Sequence, residues 1–162
     1  MAALQLHSSQ HLDIYSAQTD TELDLPLLEG VRAGFPSPAA DFIDISIDLN
    51  KHLIKHPSAT FYARAKGDSM KDAGIFDGDL LIVDKSIDPL DGKIAICYID
   101  GEFTVKRIKK ENDEVWLMPA NAQYQPLKMR EGNDLTIWGI VTHVIKSLWT
   151  INYQLSTINY PL

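Results

Sequence analysis

A succession of short strand-like segments is the feature that most restricts how this chain can fold. From Phe61 to Ile145, apolar and β-branched runs alternate with turn residues, a pattern typical of a mainly β domain. Asp100-Gly101 predicts a two-residue hairpin, and Gly139 predicts a bulge or a close approach of two backbones. The predicted strands cover residues 61–66, 80–83, 94–99, 102–108, 115–118 and 135–145.

The charge of the chain is concentrated before this β region. Residues 1–48 contain eight acidic side chains and one basic side chain, Arg32, which together account for the whole net charge of −7. The remaining residues carry 14 acidic and 14 basic side chains and are therefore neutral overall. Pro36 and Pro38 disfavour helix in the same region. We interpret residues 1–40 as an acidic, flexible arm.

A single globular domain is assigned to residues 41–147, followed by a tail over residues 148–162. One short helix is predicted at the start of the domain, where Asp48 can cap an apolar stripe that ends at Pro57. In the tail, Thr-Ile-Asn-Tyr occurs twice. Two copies are too few for a repeat fold, and the sequence leaves the role of the tail open.

Composition excludes several classes of protein. Cys97 is the only cysteine, so neither an internal disulfide nor a cysteine-based metal site can form, and no cofactor is expected. No apolar run approaches the roughly 20 residues that cross a bilayer, and the N-terminus lacks the pattern of a signal peptide. A soluble, cytoplasmic protein is therefore expected. The absence of a basic face argues against direct binding to nucleic acid.

Two polar residues are candidates for catalysis. Ser69 lies in the turn Gly67-Asp68-Ser69-Met70, and Lys106 lies in the predicted strand Phe103-Thr104-Val105-Lys106. Taken alone, a serine in such a turn more often bonds the local backbone, and a strand lysine more often lies on a solvated face. The residue types alone leave both interpretations open.

The segments around these two residues resemble the LexA-like self-cleaving serine peptidase family. The resemblance covers about two thirds of the chain, and its blocks occur in one order. The matching blocks are Gly67-Asp68-Ser69-Met70, Asp77-Gly78-Asp79-Leu80-Leu81-Ile82-Val83-Asp84, Phe103-Thr104-Val105-Lys106, Gly34-Phe35-Pro36-Ser37-Pro38-Ala39-Ala40-Asp41, Ile47-Asp48-Leu49-Asn50, His56-Pro57-Ser58-Ala59-Thr60 and Gly139-Ile140-Val141-Thr142-His143-Val144.

The resemblance implies a β domain like those of LexA and signal peptidase, with a Ser/Lys dyad. Ser69 would be the nucleophile and Lys106 the general base, since burial can lower a lysine pKa enough to free the amine near neutral pH. Backbone N–H groups of Asp68 and Ser69 would bind the oxyanion. The bond to be cut would be Ala33-Gly34, as in LexA relatives, although translesion members of the family can carry cysteine in place of Ala33.

The resemblance also implies partners. It is strongest to the members that serve as accessory subunits of error-prone translesion polymerases, and it implies a homodimer whose cleavage is stimulated by the RecA filament on single-stranded DNA. The processed dimer would join the catalytic polymerase subunit.

A leucine-rich segment of the arm is similar to the short peptides that bind the sliding clamp. Its apolar residues are Leu23, Leu25, Leu27 and Leu28, and Glu22 stands where glutamine is usual. The same leucines could instead pack the arm onto the domain or onto a dimer mate.

Other classes of protein share parts of this pattern. A LexA-like transcriptional regulator needs a DNA-reading domain before the cleavage site. Only 33 residues precede that site here, and most of their charged side chains are acidic. A signal peptidase needs a membrane anchor. A binding module with an inert dyad stays open, because a polymerase subunit does not need Ser69 once cleavage is complete.

Overall fold

A computed structural model describes residues 4–17, 19, 21–27, 45–130 and 135–148. It contains eleven strands in these ranges and one α-helix, α1 (Leu49–Leu53), with 3-10 turns at Pro57–Ala59 and Lys71–Ala73. The strands are β1 (Gln5–Ser8), β2 (Leu12–Ser16), β3 (Asp24–Leu27), β4 (Ile45–Asp48), β5 (Thr60–Ala65), β6 (Leu80–Asp84), β7 (Ile94–Ile99), β8 (Glu102–Glu111), β9 (Glu114–Met118), β10 (Leu127–Lys128) and β11 (Leu135–Ile145).

Nine of these strands form one antiparallel sheet. Their order is β1-β2-β5-β6-β11-β7-β8-β9-β10, while β3 and β4 pair separately. The mainly β fold predicted from the sequence is confirmed. β11 lies between β6 and β7 and pairs with both, so it joins the two halves of the sheet.

Local sequence signals account for several of these elements. The predicted strands over 94–99 and 135–145 have the observed bounds. Asp100 and Gly101 both have positive φ, 49° and 90°, as the predicted two-residue hairpin requires. Asp48 caps α1 by accepting hydrogen bonds from the backbone N–H groups of Asn50 and Lys51, which confirms the short helix.

Both faces of the central strand β7 are buried. Ile96 belongs to one apolar cluster, whereas its neighbours Ala95 and Cys97 belong to another. Because successive residues of a strand point to opposite faces, the two clusters lie on opposite sides of β7. This explains why the central strands read as continuous apolar runs in the sequence.

The N-terminal hairpin, β1 with β2, changes the boundary between arm and domain. Residues 4–16, assigned from the sequence to the acidic arm, are part of the sheet, since β2 pairs with β5. Leu12 and Ile14 are 0% and 1% exposed. Between them, Asp13 accepts hydrogen bonds from Lys66 Nζ at 2.6 Å and from Ser8 Oγ at 2.7 Å, so its charge is compensated. The strand was not predicted from the sequence because Asp13 interrupts its apolar residues.

Gly139 lies where two strands approach closely, and replacing it is expected to destabilise the fold. The pairing of β11 with β7 shifts register between Ile137 and Gly139, which confirms the predicted bulge. A Cβ atom on Gly139 would lie 2.7 Å from Val83 Cγ1. Gly139→Ala should therefore lower the free energy of unfolding by about 1–3 kcal/mol, measured by urea denaturation. The cost should shrink when Val83 is also replaced by alanine; an unchanged cost would contradict the steric explanation.

Candidate active site

Ser69 and Lys106 line the same cleft, whose volume is about 380 Å³. Ser69 comes from the turn that follows β5, and Lys106 comes from β8. The fold thus brings together two residues that are distant in sequence. The other residues of the cleft are His11, Lys66, Gly67, Asp68, Ile99, Asp100, Glu102, Thr104, Tyr124 and Leu127.

Lys106 is a buried lysine, with 7% of its surface exposed. Its Nζ donates to Thr104 Oγ1 at 2.8 Å and to the carbonyl oxygen of Val105 at 3.0 Å. Within the described ranges it forms no ion pair with a carboxylate, and burial lowers its pKa below the ordinary value. The side chain is therefore oriented by neutral acceptors and is shifted toward the uncharged amine.

Cys97 is the titratable neighbour of Lys106. It lies on β7, in the apolar core, and is 0% exposed. Burial raises the pKa of its thiol to about 12, although the nearby Lys106 acts in the opposite direction. The thiol is therefore neutral at physiological pH and does not provide an anion that would hold Lys106 protonated.

The turn that carries Ser69 is fixed at both ends. Gly67 adopts a φ of +81°, and its N–H donates to Asp77 Oδ1 at 2.8 Å. On the other side of the serine, Met70 is 2% exposed and anchors the turn in the core. The carbonyl oxygen of Ser69 accepts from the N–H of Ala120 at 2.9 Å. Ser69 itself is only partly buried, so its hydroxyl stays accessible from the cleft.

A network around Asp68 was not anticipated from the sequence. Asn121 Nδ2 lies 3.1 Å from both the carbonyl oxygen and Oδ2 of Asp68. Tyr124 donates its hydroxyl to Asp68 Oδ1 at 2.7 Å, and this hydrogen bond raises the pKa of Tyr124. No local pattern could reveal these contacts, because they join segments more than 50 residues apart.

The N-terminal hairpin forms one side of the cleft. His11 lies on the cleft wall, with Nε2 3.2 Å from Glu102 Oε2 on β8. Lys66, which lies between β5 and the turn that carries Ser69, donates to the carbonyl oxygen of Ser9 at 2.7 Å. The position of His11 in the cleft wall could not be predicted from the sequence, because His11 stands in a polar segment without a recognised motif.

Several sequence-predicted sites are only partly described. Ala33-Gly34, Leu28 and the repeated tail lie outside the described residues. Leu23 and Leu25 are 45% and 42% exposed, and Leu27 is partly buried at the end of β3. The clamp-binding interpretation of these leucines therefore stays a prediction.

Neither a metal cluster nor a membrane helix is found in the described part of the chain. Over residues 4–17, 19, 21–27, 45–130 and 135–148, no group of three or more His, Cys, Asp or Glu side chains could hold a metal ion. Across those same ranges, no helix has the length and apolar character needed to cross a membrane.

Comparison with known proteins gives consistent matches. A family model described as Peptidase S24-like matches residues 26–142. The chain is 49% identical to Protein SamA of Salmonella typhimurium over 117 residues, covering 72% of this chain and 81% of that protein. It is 46% identical to Protein ImpA of Escherichia coli over 114 residues, covering 70% and 77%. It is 40% identical to the LexA repressor of Ectopseudomonas mendocina over 123 residues, covering 75% and 60%.

Proposed function

This chain belongs to the S24-like family of self-cleaving serine peptidases, and we propose that it is a UmuD-like protein of SOS mutagenesis that cuts its own Ala33-Gly34 bond. Its relatives SamA and ImpA support the role in SOS mutagenesis. The observation that carries the catalytic proposal is a buried lysine, without a carboxylate partner in the described residues, in the same cleft as Ser69.

Lys106 and Ser69 divide the chemistry between them. The uncharged amine of Lys106 takes the proton of the Ser69 hydroxyl, and Oγ attacks the carbonyl carbon of Ala33. The resulting oxyanion accepts hydrogen bonds from backbone N–H groups, for which Asp68 and Ser69 are the candidates. When the bond to Gly34 breaks, Lys106 returns the proton to the leaving amine. Lys106 then deprotonates a water molecule, which hydrolyses the ester on Ser69.

Thr104 and Val105 orient the base in this scheme. Their oxygen atoms accept from Lys106 Nζ, so the amine is held by neutral groups that favour the ammonium less than a carboxylate would. Burial then favours the uncharged form. A Ser/Lys dyad therefore needs no third charged residue.

Cleavage at Ala33-Gly34 would break the covalent link between the first three strands and the rest of the chain, so that β2 would stay joined to β5, and β3 to β4, only by strand pairing. We propose that the RecA filament on single-stranded DNA accelerates this step by favouring the conformer with the cleavage segment in the cleft. The processed homodimer would then bind the catalytic subunit of a translesion polymerase. Leu23 and Leu25, exposed beside and on β3, are the part of the proposed clamp-binding segment that is open to a partner.

Incubation at alkaline pH tests the proposed reaction directly. Rising pH deprotonates Lys106, so the wild-type chain should yield a fragment that begins at Gly34, identified by intact-mass spectrometry. Adding RecA with single-stranded DNA should give the same fragment near neutral pH. Ser69→Ala is the matched control and should stay intact under both conditions.

Three results would overturn the proposal. Equal cleavage of Ser69→Ala would exclude Ser69 as the nucleophile. A fragment that begins elsewhere would exclude Ala33-Gly34 as the target. An intact wild-type chain under both conditions would favour a binding module with an inert dyad.

A further inference from the structure

We propose that Asn121 is a positioning residue that aims the backbone N–H of Ser69 at the oxyanion of the reaction. This inference rests on the proposed self-cleavage and extends it to a residue outside the dyad. Asn121 follows β9 and is 4% exposed. Its side chain touches neither Ser69 Oγ nor Lys106 Nζ among the contacts described above, so it would act through the backbone of the turn.

The peptide unit between Asp68 and Ser69 is held through its oxygen. The carbonyl oxygen of Asp68 accepts from Asn121 Nδ2 at 3.1 Å and from the N–H of Lys71 at 3.1 Å. In a planar trans peptide the C=O and the following N–H point in opposite directions. The two bonds to the oxygen therefore also fix the direction of the Ser69 N–H.

The next peptide unit is held from the same segment. The N–H of Ala120 donates to the carbonyl oxygen of Ser69 at 2.9 Å, and the carbonyl oxygen of Ala120 accepts from the N–H of Asp72 at 2.8 Å. Ala120 and Asn121 together thus hold the peptide units on both sides of the nucleophile. Their segment is tied in turn to the 3-10 turn that follows the serine.

The orientation of the Asn121 amide is itself determined by its neighbours. Its Oδ1 accepts from the N–H of Gln123 at 3.0 Å, which leaves Nδ2 to face Asp68. Nδ2 also donates to the carboxylate of Asp68, whose other oxygen accepts from Tyr124. These bonds fix where the negative charge of Asp68 lies relative to a developing oxyanion. Because Asn121 is buried, water cannot easily replace a donor that is removed.

Two substitutions separate the donor from the rest of the side chain. Asn121→Asp keeps the shape and the acceptor for Gln123 but puts a charged oxygen in place of the Nδ2 donor, whereas Asn121→Ala loses donor and acceptor without adding charge. Each should slow self-cleavage at alkaline pH by about 10²-fold, the order of loss seen when an oxyanion donor is displaced. Gln123→Ala, which changes an exposed side chain of the same loop and keeps its N–H, should cleave at the wild-type rate.

The pH profile distinguishes positioning from general damage to the cleft. If Asn121 acts through the Ser69 N–H, both variants lower the maximum rate, and Asn121→Ala, which adds no charge, keeps the pH midpoint of the wild type because Lys106 stays buried. A midpoint of Asn121→Ala displaced toward that of free lysine would show that the cleft has loosened, and would overturn the inference. So would an Asn121→Asp variant that cleaves as fast as wild type. A wild-type chain that does not cleave at all would overturn the proposed function as well.

Discussion

Replacing Lys106 by methionine is expected to reduce self-cleavage by about 10³-fold or more at alkaline pH, where the wild-type amine is uncharged, because the reaction loses its general base. Methionine has a similar length and an apolar body, so it can occupy the buried position of the lysine stem. The variant should remain intact under alkaline conditions that cleave the wild-type chain. Intact-mass spectrometry over a time course measures the difference in rate.

The same substitution should not destabilise the protein at neutral pH, which separates lost chemistry from lost folding. Burial lowers the pKa of Lys106 in the folded state below its value in the unfolded chain. Between these two pKa values the unfolded chain binds more protons than the folded chain. Below the folded-state pKa, the cost of burying the ammonium opposes folding in full. This penalty disappears as the pH rises above the unfolded-state value. Lys106→Met removes it, so its thermal midpoint at pH 7 should equal or exceed that of wild type, and its relative advantage should shrink at alkaline pH.

The pH profile of wild type provides the complementary control. The cleavage rate should rise about tenfold per pH unit while Lys106 is mainly protonated, and should level off below the ordinary lysine pKa of 10.5. Lys106→Arg, whose guanidinium stays charged, should show no such rise. Cleavage by Lys106→Met or Lys106→Arg at a rate near that of wild type would show that another group is the base.

Strands with strong local signals could be predicted from the sequence, and strands that depend on distant partners could not. The strand that ends at Ile99 is apolar and is followed by Asp100-Gly101, so both its type and its end are determined locally. β2 contains Asp13, whose charge is compensated by Lys66, the residue that directly follows the neighbouring β5. β3 contains a proline, which disfavours a strand, and its partner β4 lies in a different part of the sequence. In both cases the deciding contact is absent from the segment itself.

The candidate site shows the same division. Ser69 and Lys106 were identified because the blocks around them resemble a known family, whereas their residue types alone favoured structural roles. Asn121 and His11 belong to no such block and were missed. Their contribution depends on how the turn after β5 meets the loop after β9 and the N-terminal hairpin, which only the fold determines.

Replacing Leu12 by alanine is expected to lower the free energy of unfolding by about 2–5 kcal/mol, the usual cost of emptying a buried leucine site. Leu12 is 0% exposed and belongs to the same core cluster as Ala65 and Met70, which precede and follow Ser69 in the chain. Leu6→Ala, in the other strand of the hairpin, is the matched control, since Leu6 is 49% exposed and should cost less than about 0.5 kcal/mol. Urea denaturation of both variants measures the difference.

The comparison of these two leucines decides whether the hairpin is part of the domain. A loss with Leu12→Ala as small as that with Leu6→Ala would show that residues 4–16 behave as an arm after all. The expected loss of unfolding free energy in Leu12→Ala also bears on the proposed cleavage, because the bond between Ala33 and Gly34 lies after the hairpin in the chain. Once that bond is broken, the burial of Leu12 and Ile14 and the pairing of β2 with β5 act without a covalent link to the rest of the sheet. The released segment must then lose these contacts before it can leave the cleft that it helps to form.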